Sequence, residues 1–227
     1  MDGALRIVER RTSADEIFEY LQSEIQSLRL KPGSRLSETE VAKQFGVSRQ
    51  PVREAFIRLN SLDLLSVRPQ RATLVRGFSE TAIRRSLFIR LAIECEVVRV
   101  ACRARTPHRI AALQENLAMQ RHVATDETSP DFPELDLEFH RLLFAAAGVE
   151  QSFPAIEDCK LQVDRLCQLT PVHMASDREL LSDHAALAVA VIEREDAETV
   201  RLIRAHLGRL DRNIEAIRKK HAEFFED

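Results

Sequence analysis

The apolar residues near the start of the chain recur at helical spacing. In "TSADEIFEYLQSEIQSL" they are three or four positions apart, as on one face of an amphipathic helix, and fall at Ile17, Tyr20, Leu21, Ile25 and Leu28. Ser13 with Glu16 three residues later has the pattern of a capping box, so we predict that the helix begins there. It is predicted to end before "KPG" at 31–33.

Two shorter helices are predicted next, joined by a tight turn. Ser37, followed three residues later by a glutamate, is a second capping box that opens the helix "ETEVAKQF". Gly46 follows at a position where a turn needs positive φ. Ser48 can then cap a third helix that runs to about Asn60. Pro51 falls in the first turn of this helix, where its missing N–H would have no intrahelical partner.

A short helix, a glycine turn and a second helix predict a helix-turn-helix, whose second helix enters the DNA major groove. Arg49 and Arg53 are four residues apart, so they share one face at the start of that helix. Their guanidinium groups suit guanine edges and phosphates, and Gln50 can bind adenine. Ser48 and the free N–H groups of the first turn can hold a phosphate.

A hairpin is predicted directly after these helices. "LLSVRPQRATLVRG" alternates apolar and polar residues around Pro69-Gln70, which is typical of two strands joined by a turn and would form the wing of a winged helix. Arg68 and Arg71 near its tip can reach phosphates or the minor groove. Solvated surface charge is the alternative for all of these arginines, but cap, turn, arginine pair and wing in this order favour DNA binding.

From residue 77 onward the pattern predicts helices without a strand candidate. At least six periodic segments follow one another, the first opened by Ser79 and the third closed by Gly148, and almost no glycine interrupts them. The predicted fold class is therefore mainly α. A winged helix-turn-helix over residues 1–76 precedes an all-α bundle of six or more helices over 77–227.

Charge and composition agree with two domains. Residues 1–76 carry 13 Lys+Arg against 10 Asp+Glu, whereas 77–227 carry 20 against 26. No window of 18 uncharged apolar residues predicts a membrane span, and the N-terminus does not have a signal-peptide pattern, so a cytoplasmic location is expected. Four cysteines without CxxC spacing are expected to be inert thiols rather than disulfides or zinc ligands.

Candidate metal ligands lie in the bundle. Asp136 and His140 are four apart in "DLEFH" and share a helix face, while His184 and His206 lie in later helices. One carboxylate oxygen and three imidazoles suit a divalent cation such as Zn, Ni, Mn or Fe. Spacing alone leaves open whether these residues are ordinary surface or core residues, because it does not show that the helices converge.

The stretch "LSETEVAKQFGVSRQPVREAFIRLNSLDLLSVRPQRATLV" resembles the winged helix-turn-helix of GntR-family bacterial transcription regulators. The family pattern E-x-x-L-A-x-x-x-x-V-S-R-x-P-V-R-E-A-L-x-x-L is present almost residue by residue. The resemblance implies that Thr39, Arg49, Gln50 and Arg53 lie at the DNA together with the wing tip. Asp63 stands where a glycine usually follows the recognition helix.

Residues 80–218 resemble the helical ligand-sensing domain of the FadR-like GntR subfamily, the FCD type. There, a D-x-x-x-H motif, a later E/D-H and a final H-L hold a metal, which implies Asp136, His140, His184 and His206 as ligands here. The resemblance further implies a small carboxylate effector. It argues against acyl-CoA, because the metal-free subgroup that binds acyl-CoA lacks these histidines.

Three residues are candidates for effector binding. Arg90 matches a family arginine that faces the ligand carboxylate, although an intrahelical ion pair with Glu94 is an alternative role. Arg165 is a second candidate, since a guanidinium can hold a carboxylate with two hydrogen bonds. Asn213, two turns after His206, can bind a hydroxyl. The segment 124–134 is expected to be a loop and a candidate gate.

These observations predict an effector-responsive transcription regulator that represses by binding a pseudo-palindromic DNA operator as a homodimer, with no membrane partner. A metalloenzyme fused to a DNA-binding module is the alternative, but no second motif supports a general base. A third interpretation is a dimerisation bundle whose metal is purely structural.

Overall fold

The computed structural model describes residues 12–68, 71–124, 132–169 and 173–226. For residues 173–177, 210 and 212 it describes the backbone only. The predicted wing tip Pro69-Gln70 and most of the predicted loop at 124–134 lie outside these ranges. The chain forms two compact units, one ending at Gly77 and the other spanning Phe78–Phe225. In the described ranges no helix is long and apolar enough to span a membrane.

The first helix, α1, spans Ser13–Gln26 and begins one residue earlier than its predicted cap. Thr12, not Ser13, is the N-cap: its Oγ1 accepts from the Asp15 N–H (3.2 Å), and Asp15 Oδ2 accepts from the Thr12 N–H (3.0 Å). The predicted Ser13–Glu16 box was therefore wrong by one position, because Thr12 has the extended backbone that a cap requires and the shorter aspartate closes the ring. Ile17 is buried on the inner face, as its spacing predicted.

The helix-turn-helix has the predicted order. Helix α2 spans Glu38–Phe45 and is capped by Ser37, and helix α3 spans Arg49–Ser61. Between them Gly46 has φ +67°, in the left-handed region that favours glycine. Helix α3 packs against α1 through a fully buried face that includes Phe56.

A small sheet completes the first unit. Strand β2 spans Leu65–Ser66 and strand β3 spans Thr73–Val75, and they pair antiparallel as the predicted hairpin. A third strand, β1, spans Arg35–Leu36 and pairs with the other edge of β3, giving the order β1-β3-β2. Two residues are too short for any alternation of apolar and polar positions, so the sequence did not predict β1.

The second unit contains six helices within its described residues. They are α4 Glu80–Ala104, α5 Pro107–Val123, α6 Phe132–Ala147, α7 Pro154–Cys167, α8 His173–Glu193 and α9 Asp196–Lys220, with short 3-10 turns at Glu150–Ser152 and Ala222–Phe224. The predicted fold class is confirmed. Ser79 caps α4 by accepting from the Ala82 N–H, and Gly148 follows α6 with φ +78°.

Helix α4 is central to the bundle and packs against α6, α7, α8 and α9. Their inner faces form one continuous apolar core, which includes the fully buried Val98, Phe139, Phe144 and Ile203. The core also encloses a group of buried polar side chains from α4, α5, α6, α7, α8 and α9. Such groups are costly to bury unless they are paired, so they mark the candidate site.

Candidate metal centre and nucleic-acid surface

The recognition helix α3 presents its polar residues to solvent. Arg49, Gln50 and Arg53 are exposed, while the opposite face of α3 is buried in the core of the first unit. Ser48 occupies the N-cap position, yet its hydroxyl makes no capping hydrogen bond. The hydroxyl therefore does not occupy the first-turn N–H groups of α3, which at a helix N-terminus favour a phosphate.

Glu38, the first residue of α2, joins the two arginines. Its Oε2 accepts from Nη2 of Arg49 (2.8 Å) and from Nη2 of Arg53 (3.1 Å), and its Oε1 accepts from Nε of Arg53 (3.3 Å). The hydrogen bonds from Arg53 and Arg49 lower the pKa of the Glu38 carboxyl below its ordinary value. The two guanidinium groups are thus held side by side.

A groove of about 740 Å³ runs between the start of α2 and the wing. Four of the residues predicted to contact DNA line it: Thr39, Arg49, Arg68 and Arg71. Arg68 and Arg71 are exposed at the ends of the described wing strands. The structure therefore brings residues from the helix-turn-helix and the wing to one basic groove.

In the second unit, four side chains from three helices converge in the interior. Asp136 and His140 of α6, His184 of α8 and His206 of α9 each place one potential ligand atom so that all four atoms lie within 4.8 Å of one another. Asp136 Oδ1 is 3.4 Å from His184 Nε2 and 3.9 Å from His140 Nε2. We call these four residues the metal cluster.

Each imidazole has an oxygen atom facing its other nitrogen, Nδ1. Nδ1 of His140 is 2.5 Å from Glu94 Oε2, and Nδ1 of His184 is 2.9 Å from Gln120 Oε1. Nδ1 of His206 is 3.4 Å from Asp183 Oδ2. At His140 and His184 an oxygen acceptor within hydrogen-bond distance of Nδ1 favours the tautomer with the proton on Nδ1 and the lone pair on Nε2, and the Asp183 carboxylate favours the same tautomer for His206 at a longer distance.

The polar surroundings keep these partners in place. Gln120 donates from its amide to Asn116 Oδ1 (2.7 Å), which fixes its oxygen toward His184. Burial alone would raise the pKa of Glu94, but Arg90 and His140 outweigh it and lower that pKa to about 2. The carboxylate is therefore ionised at neutral pH and accepts the His140 proton.

The donor set fits a divalent transition metal. Nε2 of His184 is buried and has no hydrogen-bond partner among the described atoms. Burial lowers the pKa of His184 well below its ordinary value, with the neighbouring His206 acting in the same direction, so the ring is neutral at pH 7. Three imidazole nitrogens and one carboxylate oxygen form a set of ligands that Zn, Ni, Mn or Fe accept.

The second oxygen of the Asp136 carboxylate is bound elsewhere. Lys160 of α7 is buried, and its Nζ donates to Asp136 Oδ2 and to both oxygens of Asp164 (2.9 and 2.8 Å). Burial would lower the pKa of Lys160, but the Asp136 and Asp164 carboxylates more than compensate and raise it. Lys160 is therefore a fixed positive charge beside the cluster.

The three effector candidates occupy different places. Arg90 is buried beside the cluster: its Nε donates to Glu94 Oε1 (2.8 Å), as the i, i+4 spacing predicted, and its Nη2 is 3.5 Å from His140 Nε2. Arg165 is also buried, with its guanidinium carbon 4.6 Å from the centre of the Phe78 ring. Asn213 is exposed on α9, so its side chain faces solvent rather than the interior.

Sequence reasoning missed the residues that position the ligands. Glu94 was considered only as a partner of Arg90, and Gln120 and Lys160 were not singled out. Buried polar residues at helical spacing on α5, in particular Asn116 and Gln120, were an available signal, because two amides on one otherwise apolar face need partners. Which groups they bind depends on the packing of α5 against α6 and α8.

Comparisons with known proteins place both units in one family. A model of the gntR family of bacterial regulatory proteins matches residues 13–75, and a model of the FCD domain matches residues 86–209. The chain is 35% identical over 212 residues to the HTH-type transcriptional repressor RspR of Escherichia coli K12, covering 93% of each chain.

Two solved structures share the fold. E. coli McbR/YncC superposes with a TM-score of 0.74 at 22% identity, covering 93% of this chain and 100% of that one. A putative GntR regulator from Rhodococcus sp. RHA1 gives a TM-score of 0.72 at 20% identity, covering 89% and 97%. These likenesses support the fold of the two units.

Proposed function

The chain belongs to the GntR family of bacterial regulatory proteins, with an FCD domain after its DNA-binding domain, and on that premise we propose that a metal centre couples a small acidic effector to operator binding. The family makes the chain a DNA-binding transcription regulator rather than an enzyme. The metal, the effector, the dimer and the direction of regulation are the parts that we propose.

The convergence of three lone pairs and one carboxylate oxygen supports the metal. His140, His184, His206 and Asp136 would hold it, and Glu94, Gln120 and Asp183 would keep the three imidazoles oriented. A bound divalent ion would supply a Lewis acid with coordination positions beyond those filled by the protein. Such positions on the metal favour a carboxylate oxygen, because it is a hard and negatively charged ligand.

Arg90 supports an anionic effector. Its buried guanidinium lies beside His140 and next to the metal cluster, where a second positive group would attract a carboxylate and hold it with two hydrogen bonds. Arg165, buried on α7, remains a second candidate. Asn213 would contribute only from the exposed surface of α9. The effector class that fits is a small hydroxy, keto or sugar acid.

The protein would bind DNA as a homodimer, with one DNA-binding unit on each half of the operator. Two copies would place two α3 helices in successive major grooves of a pseudo-palindromic operator, with Arg49, Gln50 and Arg53 at the base edges. Ser48, Thr39 and the wing arginines would bind the backbone. The similarity to RspR, a transcriptional repressor, favours repression here. The effector must bind the DNA-competent and DNA-free arrangements with different free energies to regulate.

Elemental analysis tests the proposal most directly. The full chain, purified untagged and without chelator, would be analysed by mass spectrometry beside His140→Ala and His108→Ala. His108 is exposed on α5 and serves as the matched control. We expect about one equivalent of a transition metal in the wild type and in His108→Ala, and a large loss in His140→Ala.

The effector is tested on the metal-loaded protein. Small hydroxy, keto and sugar acids would be screened by thermal shift, and each hit tested for release of DNA selected by the protein from a random library. A wild type that takes up no Zn, Ni, Mn or Fe would contradict the metal centre. Metal uptake without any acid that shifts the melting temperature would instead assign the metal a structural role.

A further inference from the structure

The two oxygens of the Asp136 carboxylate have different partners. Oδ1 faces the imidazoles, 3.4 Å from His184 Nε2, whereas Oδ2 accepts from the Lys160 ammonium. Each imidazole offers one nitrogen to the cluster, because its Nδ1 faces an oxygen atom of Glu94, Gln120 or Asp183 instead. The number of protein donors therefore depends on whether Asp136 coordinates through one oxygen or two.

We propose that Lys160 is a positioning residue that restricts Asp136 to one-oxygen coordination and thereby keeps a coordination position open for the effector. This inference rests on the proposed metal centre. A divalent transition metal commonly accepts five or six donors, and the cluster with Oδ1 alone supplies four. If Oδ2 also coordinated, one fewer position would remain for a carboxylate effector.

The position of Lys160 suits this role. Its side chain is 3% exposed, and Asp164, one turn later on α7, holds its Nζ with both carboxylate oxygens. The ammonium is therefore anchored by a second carboxylate of its own helix, which opposes its following Asp136 if that carboxylate turns. Turning Oδ2 toward the metal would break a buried charged hydrogen bond, which is strongly unfavourable.

The chemistry of the lysine ammonium also suits a residue that holds Asp136 without binding the metal. An ammonium bound to three carboxylate oxygens has its donors occupied and has no lone pair, so it cannot become a metal ligand itself. A neutral residue here would leave Oδ2 without a partner and free to coordinate. The positive charge thus restricts the donor number without adding a ligand.

The test uses Mn²⁺ as the metal and oxalate as the probe anion. Metal-bound water would be counted by water-proton relaxation of the Mn²⁺-loaded full chain, and oxalate binding measured by titration. In Lys160→Met we expect fewer metal-bound waters, oxalate affinity lower by about tenfold, and Mn²⁺ affinity unchanged or higher. A purely structural lysine would instead weaken Mn²⁺ binding on removal.

Two further variants separate charge from coordination number. Lys160→Met removes a positive charge, which by itself weakens anion binding, and it leaves two carboxylates unpaired, which could prevent folding. The double variant Lys160→Met/Asp164→Asn removes one charge of each sign, so it should fold and still lose metal-bound water. Asp164→Asn alone keeps Lys160 on Asp136 and should retain the wild-type water count.

The results distinguish a failure of the proposed role of Lys160 from a failure of the proposed metal centre. A wild type that binds no Mn²⁺ would contradict the metal centre itself. A wild type that binds Mn²⁺ while the double variant keeps the same water count and the same oxalate affinity would overturn the role of Lys160 and leave the metal centre standing.

Discussion

The Nε2 atoms of His140 and His206 lie 3.3 Å apart, although the two residues are 66 positions apart in the chain. Glu94 Oε2 faces Nδ1 of His140, and Asp183 Oδ2 is 3.4 Å from Nδ1 of His206, so both rings direct Nε2 toward the same point. At this separation the two Nε2 atoms either share one proton or, when both are unprotonated, favour a cation between them. The metal that we propose would take the place of that shared proton.

Gln120 is expected to control metal affinity without touching the metal. Its Oε1 accepts from Nδ1 of His184 and so keeps Nε2 unprotonated and correctly directed. Gln120→Leu should weaken metal binding by about 10- to 100-fold, measured by competition with a fluorescent chelator. Gln114→Leu, an exposed position on α5, is the matched control. Equal affinities in the two variants would contradict this role.

The metal cluster shows what helical spacing can and cannot predict. The separation of Asp136 and His140 placed both on one face of α6, and the structure has them there. That His184 and His206 reach the same point depends on how α8 and α9 pack, which periodicity does not encode. The family resemblance identified all four residues, but Glu94 and Gln120 belong to no sequence motif that was recognised.

Gly46 is expected to be required for its backbone conformation alone. Its φ is +67°, and a Cβ added there would meet nothing within 4 Å. Gly46→Ala should therefore lower the free energy of unfolding by about 1–2 kcal/mol through left-handed strain and not through a clash. Urea denaturation would measure the change. Gly46→Asn should cost less, because asparagine tolerates this region; equal losses would contradict the explanation.

The first unit was predictable where local chemistry decides the structure. Gly46, Ser37 and the position of Pro51 determine the helix boundaries through turn and capping rules, and these match the structure. Asp63 adopts φ +57° at the position where the family usually has glycine, so the backbone keeps the same shape at some cost in strain. Strand β1 depends on pairing with β3, a contact that no local pattern predicts.

Cys167 is expected to be unreactive in the folded protein. Burial raises its pKa to about 12, so the neutral thiol is favoured and the reactive thiolate is scarce at pH 8. Compared with a thiol of pKa 9, alkylation by iodoacetamide should be slower by about three orders of magnitude. Because the folded pKa lies above the unfolded one, the associated stability should be lost as pH rises toward 12.

Mass spectrometry of peptides after timed alkylation would give the rate for each cysteine. The same protein in denaturant is the control, in which Cys167 should react as an ordinary thiol. Rapid labelling of Cys167 in the folded protein at pH 8 would contradict the raised pKa of its thiol. No disulfide joins any of the four cysteines in the structure, so none complicates the comparison.

Glu38 is expected to improve discrimination between DNA sequences rather than total affinity. It binds Arg49 and Arg53 at once, which holds both guanidinium groups side by side at the start of α3 and would place a negative charge near the phosphates of bound DNA. Glu38→Gln should raise affinity for random duplex DNA, with a steeper salt dependence, because the arginines are released to phosphates. The ratio of selected-site to random-DNA affinity should fall by about tenfold.

Fluorescence anisotropy with DNA selected by the wild type, beside a random duplex, over a range of salt concentrations measures both quantities. Glu16→Gln makes the same change in net charge at an exposed position on α1 and is the control. Arg53→Ala should weaken binding to the selected site by about 1–3 kcal/mol, because it removes a base contact. If Glu38→Gln behaved as Glu16→Gln does, the carboxylate would contribute charge alone, and the arginines would not depend on it for their position.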